Sequence, residues 1–251
     1  TLGEDHLEQG ALGQGALDAQ GGNDVLHQRP LEFVKALVDD ADAQCVVHAQ
    51  AILQAWLPGT EGAAALERVL FGKTAPCGKL SMSIPYCVGQ VPVFYNRMNT
   101  GRPLVGDYRT TRVFSQYRDI PNNPLYPFGY GLTYTSFACS DVKLDKSELC
   151  AGETVTASVT VTNVGSCEGT ETVQLYLHDV HGSVVRPLRM LKGFQKVTLQ
   201  PGQSQEVTFA ITEKMLRFWN IHMEYTSEPG KIEVYIGFDS NAESKAEFVL
   251  R

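Results

Sequence analysis

The sequence predicts an α/β remnant over residues 1–105, joined through a connector at 106–136 to an all-β sandwich over 137–251. Three observations carry that prediction. Apolar residues recur at two-residue spacing through the last 100 or so positions, the period of a half-buried strand. Between residues 51 and 84 they instead cluster in short runs at helical or mixed spacing. The two textures meet at Pro124-Leu-Tyr-Pro-Phe-Gly-Tyr-Gly-Leu-Thr-Tyr134. There Pro124 and Pro127 fix φ, Gly129 and Gly131 free it, and four aromatic rings need cover. That corner is expected to seal one domain onto another.

Residues 1–50 are rich in Gly, Ala, Gln and Asp, and only Leu31–Val38 is distinctly apolar, with Phe33, Val34, Leu37 and Val38 at helical spacing. Ala51, Ile52, Ala55 and Trp56 mark one face of a short helix ended by Pro58-Gly59, with Trp56 in the core. Gly62–Leu70 predicts a second helix with Ala65, Leu66, Val69 and Leu70 inward, and Leu80–Ile84 alternates as a short strand. These fit the edge of a layered α/β domain. In the sandwich, Val155, Ala157, Val159 and Val161 oppose a row of threonines and Ser158. Val173, Leu175 and Leu177 repeat the pattern against Thr172, Gln174 and Tyr176. Val207, Phe209, Ile232, Val234 and Ile236 continue it. Asn163-Val-Gly165, Pro201-Gly202 and Pro229-Gly230 supply turns. Such strands within about 100–115 residues read as an immunoglobulin or fibronectin type III-like β-sandwich.

Composition narrows the function. The net charge of −7 argues against a nucleic-acid partner. No apolar run reaches the ~18 residues of a membrane span. The six cysteines, at 45, 77, 87, 139, 150 and 167, form no CxxC pair, and the histidines no spaced cluster, so no metal or cofactor is expected. A bridge among Cys139, Cys150 and Cys167, one between Cys77 and Cys87, and small buried thiols are all compatible with the spacing.

The motifs converge on one family. Ala51-Ile-Leu-Gln-Ala-Trp-Leu-Pro-Gly-Thr-Glu-Gly62, Val69-Leu-Phe-Gly-Lys73 with Pro76-Cys-Gly-Lys-Leu80, and Gly89-Gln-Val-Pro-Val-Phe-Tyr-Asn96 with Asn99-Thr-Gly-Arg-Pro103 follow one another in order. The aromatic corner, Arg186–Lys196 and Glu228-Pro-Gly230 complete the series. Together they resemble the C-terminal portion of glycoside hydrolase family 3, in its bacterial β-glucosidase branch. The resemblance implies a retaining β-glucosidase or β-xylosidase acting on terminal β-linked sugars, with a periplasmic or extracellular location. It also implies a preceding (β/α)8 barrel, which alone takes roughly 250 residues. Leu2-Gly-Glu4 and Arg29-Pro-Leu31 echo the family's pattern with fewer residues between them. A deletion, a frame error and a degenerate copy each account for that.

A retaining glycosidase needs two carboxyl groups about 5–5.5 Å apart, one to attack and one to pass the proton. The family's nucleophile is a barrel Asp in a Ser-Asp-Trp motif, absent from this sequence; Ser140-Asp141-Val142 is only an echo, placed at the sandwich. The resemblance puts the acid/base nearest Glu8, although Leu7-Glu8-Gln9-Gly10 departs from the motif. Glu61 reads as a helix-start carboxylate. Asn99 and Arg102 are the substrate-contact candidates, against an interdomain clasp as the plainer role. Arg186-Pro187 and Lys192-Gly-Phe194 are expected to join the sandwich to the α/β part, with Arg186 paired to a carboxylate. Trp219 is expected in the sandwich core. Without the barrel, the chain alone is expected to be inactive. The competing reading is a non-catalytic module binding polysaccharide or protein. Its sheet faces offer only Tyr176 and Tyr235 as platform rings.

Overall fold

The structure, a computed structural model, describes residues 33–34, 51–102, 115–150 and 152–251. Glu8 and the Gly-Glu and Arg-Pro-Leu echoes lie outside these residues, as does Cys45.

The sandwich is built from two sheets. Strands β3 (Phe137–Cys139), β4 (Lys143–Leu144), β6 (Thr154–Asn163) and β9 (Ser204–Thr212) form the first. β9 runs antiparallel along β6 from Thr154↔Thr212 to Thr162↔Ser204, while β3 and β4 pair successive stretches of β6. The second sheet has the order β5 (Glu148–Leu149), β13 (Lys245–Leu250), β12 (Gly230–Gly237), β7 (Gly169–Asp179), β8 (Met190–Leu199). The predicted alternation sets the core. Val155, Ala157, Val159 and Val161 of β6 pack with Val173, Leu175 and Leu177 of β7, Phe209 of β9 and Ile232, Val234 and Ile236 of β12. Between Leu175 and Tyr176 the β7–β8 register slips, leaving Lys192 as an extra residue on β8.

One face of the second sheet departs from the polar-out expectation. Gln174 and Tyr176 are buried as fully as the core residues between them. The aromatic corner lies against them. The Gln174 amide donates to the Gly129 carbonyl at 3.0 Å and to that of Phe238 at 2.6 Å, and the Tyr176 hydroxyl donates to Gln174 Oε1 at 2.6 Å. Tyr95 stacks on Phe128 with centroids 4.2 Å apart and meets Tyr176 edge-on at 6.0 Å. Gly129 sits at φ +80, and a Cβ there would come within 2.1 Å of Gln174 Oε1. At Gly131 a Cβ would collide with the Gly78 carbonyl at 2.5 Å. Beside it Lys79 Nζ reaches the Gly131 carbonyl at 2.7 Å and Glu171 of β7 at 2.6 Å, a nearly buried ion pair. The corner thus seals itself, Tyr95 and Lys79 onto the sheet.

Ahead of the corner, four expectations change. Phe33–Val34 (β1) and Ala51–Ile52 (β2) are parallel strands, not helical faces. A two-residue apolar step fits either period, and here the parallel partner decides. Trp56 is not core: it has φ 52 and is exposed. Helix α1 (Gly62–Leu70) forms where predicted, with Glu61 at its N-cap position, but only Leu66 and Val69 of the inward set are even partly covered. Leu80–Ile84 makes no strand. Leu80 donates to the Tyr130 carbonyl and accepts from Gly129, while Ile84 donates to the Tyr126 carbonyl, accepts from Leu125 and Tyr126, and forms the one bridge, Ile84↔Tyr126. Pro85 and Pro127 lack the donors a continuous ladder needs.

No disulfide joins the described cysteines: Cys77, Cys87, Cys139 and Cys167 are half-buried free thiols and Cys150 is exposed. Burial, with the Asp141 charge, pushes the Cys139 thiol up to about 11. Among the described residues no helix is long and apolar enough to cross a membrane, and no group of three His, Cys, Asp or Glu side chains stands together.

Candidate functional site

The connector does not lie flush on the sheet everywhere. Beside the Tyr95–Phe128 stack a cavity of about 840 Å³ opens between the two. Phe94, Tyr95 and Arg97 line it from the end of the 1–105 region and Tyr117 and Asn123 from the connector; His178, Arg189, Glu233, Tyr235 and Glu243 line it from the sandwich.

The connector side is held by two amides. Gln90, buried, accepts the Tyr86 N–H at 2.8 Å and donates to the carbonyls of Pro121 and Asn123, both at 3.0 Å. Asn122 accepts the Tyr117 N–H at 3.1 Å and donates to the Ser115 carbonyl at 2.7 Å. Main chain that would otherwise lack partners is thus tied down, and the rings it carries are fixed in place. Met98↔Pro187 bridging and the Leu188 N–H to Arg97 carbonyl bond at 3.0 Å anchor the same stretch to the sandwich.

The sandwich side is centred on Glu233. Its Oε2 faces His178 Nδ1 at 2.8 Å and accepts the Tyr235 hydroxyl at 2.7 Å, while Oε1 accepts Lys245 Nζ at 2.9 Å. Burial opposes the charge, yet the three partners outweigh it and hold the Glu233 carboxyl at about 2. The same bond, added to burial, raises the Tyr235 phenol. Arg189 lies flat on Tyr235, its guanidinium carbon 3.2 Å from the ring centroid, and donates to the Ala242 carbonyl at 2.9 Å. A carboxyl ionised down to about 2 has no proton to give a leaving oxygen at ordinary pH, and both its oxygens are already engaged. Glu233 is a fixed anion in the cavity wall.

Of the described sequence candidates, Tyr235 lines this site and the others lie away from its lining. Asn99 and Arg102 are exposed and line no part of the cavity; the Arg102 carbonyl accepts the Ser115 N–H at 2.9 Å. The same segment contributes Phe94, Tyr95 and Arg97 instead, which the reading of residues 89–103 passed over. Tyr176 is buried and Tyr235 is covered by Arg189, so the sheet face carries no two-ring platform. Arg186 meets Asp179 in a single contact at 3.6 Å and stacks on Phe218 at 3.8 Å. Phe194 is exposed, while Pro187 bridges to Met98 of the 1–105 region. Trp219 is 60% exposed beside Tyr225 on the hairpin β10 (Phe218–Trp219)–β11 (Tyr225–Thr226), because Phe218 takes the inward position. Asp141 accepts the Ser244 hydroxyl at 3.3 Å at the sandwich edge.

Residues 34–134 match the glycosyl hydrolase family 3 C-terminal domain, and residues 171–240 match the fibronectin type III-like domain. The chain is 47% identical over 226 residues to a periplasmic beta-glucosidase of Salmonella typhimurium. The chain belongs to glycoside hydrolase family 3. That match takes in 90% of this family 3 chain and 28% of the relative. A putative beta-xylosidase of Formosa agariphila is 39% identical over the same share of each. Among solved structures, a beta-glucosidase from Listeria innocua in complex with glucose superposes with a TM-score of 0.74 at 40% identity, over 80% of this chain and 28% of that one. A D270A mutant of that enzyme in complex with laminaribiose gives 0.77 over 83% and 29%. The chain therefore spans under a third of the length of these relatives.

Proposed function

We propose that this chain is the C-terminal, scaffold-bearing part of a retaining glycosidase that removes terminal β-linked glucose or xylose from oligosaccharides, in the periplasm or outside the cell. The α/β remnant at 1–105, the connector at 106–136 and the sandwich at 137–251 are its parts. The observation that carries the reading is the family match over most of the chain, against relatives named beta-glucosidases and beta-xylosidases that are more than three times as long. In this reading a (β/α)8 barrel supplies the attacking Asp, Glu8 passes the proton, and Asn99 and Arg102 reach toward the bound sugar from their exposed loop. In this reading the chain by itself lacks the attacking carboxylate that double displacement requires.

The test is hydrolysis of an aryl β-glucoside. The purified chain is expected to give no turnover above buffer, and the same chain joined to a family 3 barrel to give full turnover that Glu8→Gln abolishes. Turnover by the chain alone at the rate of a complete enzyme overturns the assignment of roles.

A further inference from the structure

We propose that the cavity between connector and sandwich is a saccharide-binding site that holds a short β-linked oligosaccharide without cutting it. Sugars present two kinds of surface: faces of C–H groups that lie on aromatic rings, and a rim of hydroxyls that both donate and accept. The cavity offers both. Phe94 is 62% exposed and Tyr117 38% exposed, and both line the same concave space. Large aromatics left open to water inside a concavity are the usual anchors of a ligand site. Arg97, Asn123 and Glu243 add donors and acceptors to the lining. The cavity's ~840 Å³ falls within the range of small-molecule sites.

Charge points the same way. Guanidinium groups (Arg97, Arg189) and carboxylates (Glu233, Glu243) line the space together. A strongly anionic or cationic ligand meets a like charge on some wall; a neutral polyol meets none. Glu233 is saturated by Tyr235, Lys245 and His178, and Arg189 is pinned to Tyr235 and the Ala242 carbonyl. The wall is therefore set before a ligand arrives, which lowers the ordering cost of binding. The same saturation leaves Glu233 without a proton to donate. The geometry requires only a neutral sugar; the β-linkage rests on the catalytic reading above.

Calorimetric titration of the whole chain with cellobiose, laminaribiose and xylobiose tests the site. At least one is expected to bind saturably, with Phe94→Ala and Tyr117→Ala each weakening it roughly three- to tenfold. Trp219→Ala, on the exposed hairpin, is expected to leave binding unchanged. Phe94 is largely exposed, so its variant keeps the fold, which far-ultraviolet circular dichroism verifies. Absence of saturable binding by the folded chain, or binding untouched by both cavity variants, overturns the proposal. Such a failure beside full hydrolysis by the barrel-joined chain sinks the binding site alone; binding without hydrolysis in that fusion sinks the catalytic reading alone.

Discussion

The sandwich and the stretch from Ala51 to Gly131 handle apolar surface in opposite ways. The sandwich hides its own: Val155, Leu175, Ile211 and Val234 are fully buried between its two sheets. The preceding stretch leaves Trp56, Leu57, Leu70, Phe71, Val88 and Phe94 exposed, and among its described residues Ala51 is the one hydrophobic side chain in the buried set. What holds it to the sandwich is chiefly a stacked aromatic corner and a few buried polar bonds. The sandwich is thus stabilised by area removed from water, and the joint by specific partners that fail singly.

That contrast can be broken by substitution. The largest effect is expected at the joint. Lys79→Met leaves Glu171 buried without its cation and should cost about 3–5 kcal/mol by denaturant unfolding. Adding Glu171→Leu should recover more than half of the loss; an additive further loss would show that the pair does not act as a unit.

Equal truncations should then separate the two regions. Leu175→Ala opens a void in a sealed core and is expected to cost about 2–5 kcal/mol. Leu70→Ala, at a residue 48% exposed, should stay within about 0.5 kcal/mol. Comparable costs at both would mean that the surface of α1 is covered in solution.

A smaller effect than that at the joint lies at the cavity wall and depends on pH. Glu233→Gln should cost about 1–3 kcal/mol at neutral pH. The folded carboxyl sits at about 2, below the ~4.3 of an unfolded glutamate. Its contribution is therefore complete above about 4.3 and drains away as the pH falls toward 2. The gap in Tm between wild type and variant should close over that window. A gap constant down to the acid end would remove charge as the cause.

Legibility in the sequence followed the same division. The period-two rows of β6, β7 and β12 announced both strand and inward face, because side chains alternate strictly and one face had to be buried. The corner was legible as a seal because Gly129 and Gly131 stand where a Cβ meets Gln174 or the Gly78 carbonyl. Ala51–Trp56 misled, since a short apolar cluster fits a helix or a strand, and β1 tipped the balance. Trp219 misled because adjacent residues on a strand face opposite ways, and the inward place went to Phe218. The cavity left no trace in the pattern: Phe94 and Glu233 lie 139 positions apart in the chain, as their numbers show (233 − 94).

From its residues alone the chain resembles a family 3 segment that ends in a β-sandwich, because local periodicity and turn chemistry are written in neighbouring positions. Only the folded arrangement decided that β7 is covered on both faces, that Lys79 finds Glu171, and that two exposed rings line one cavity with a saturated carboxylate. Those outcomes depend on where a connector lands on a distant sheet, and contacts between remote residues have no period to read.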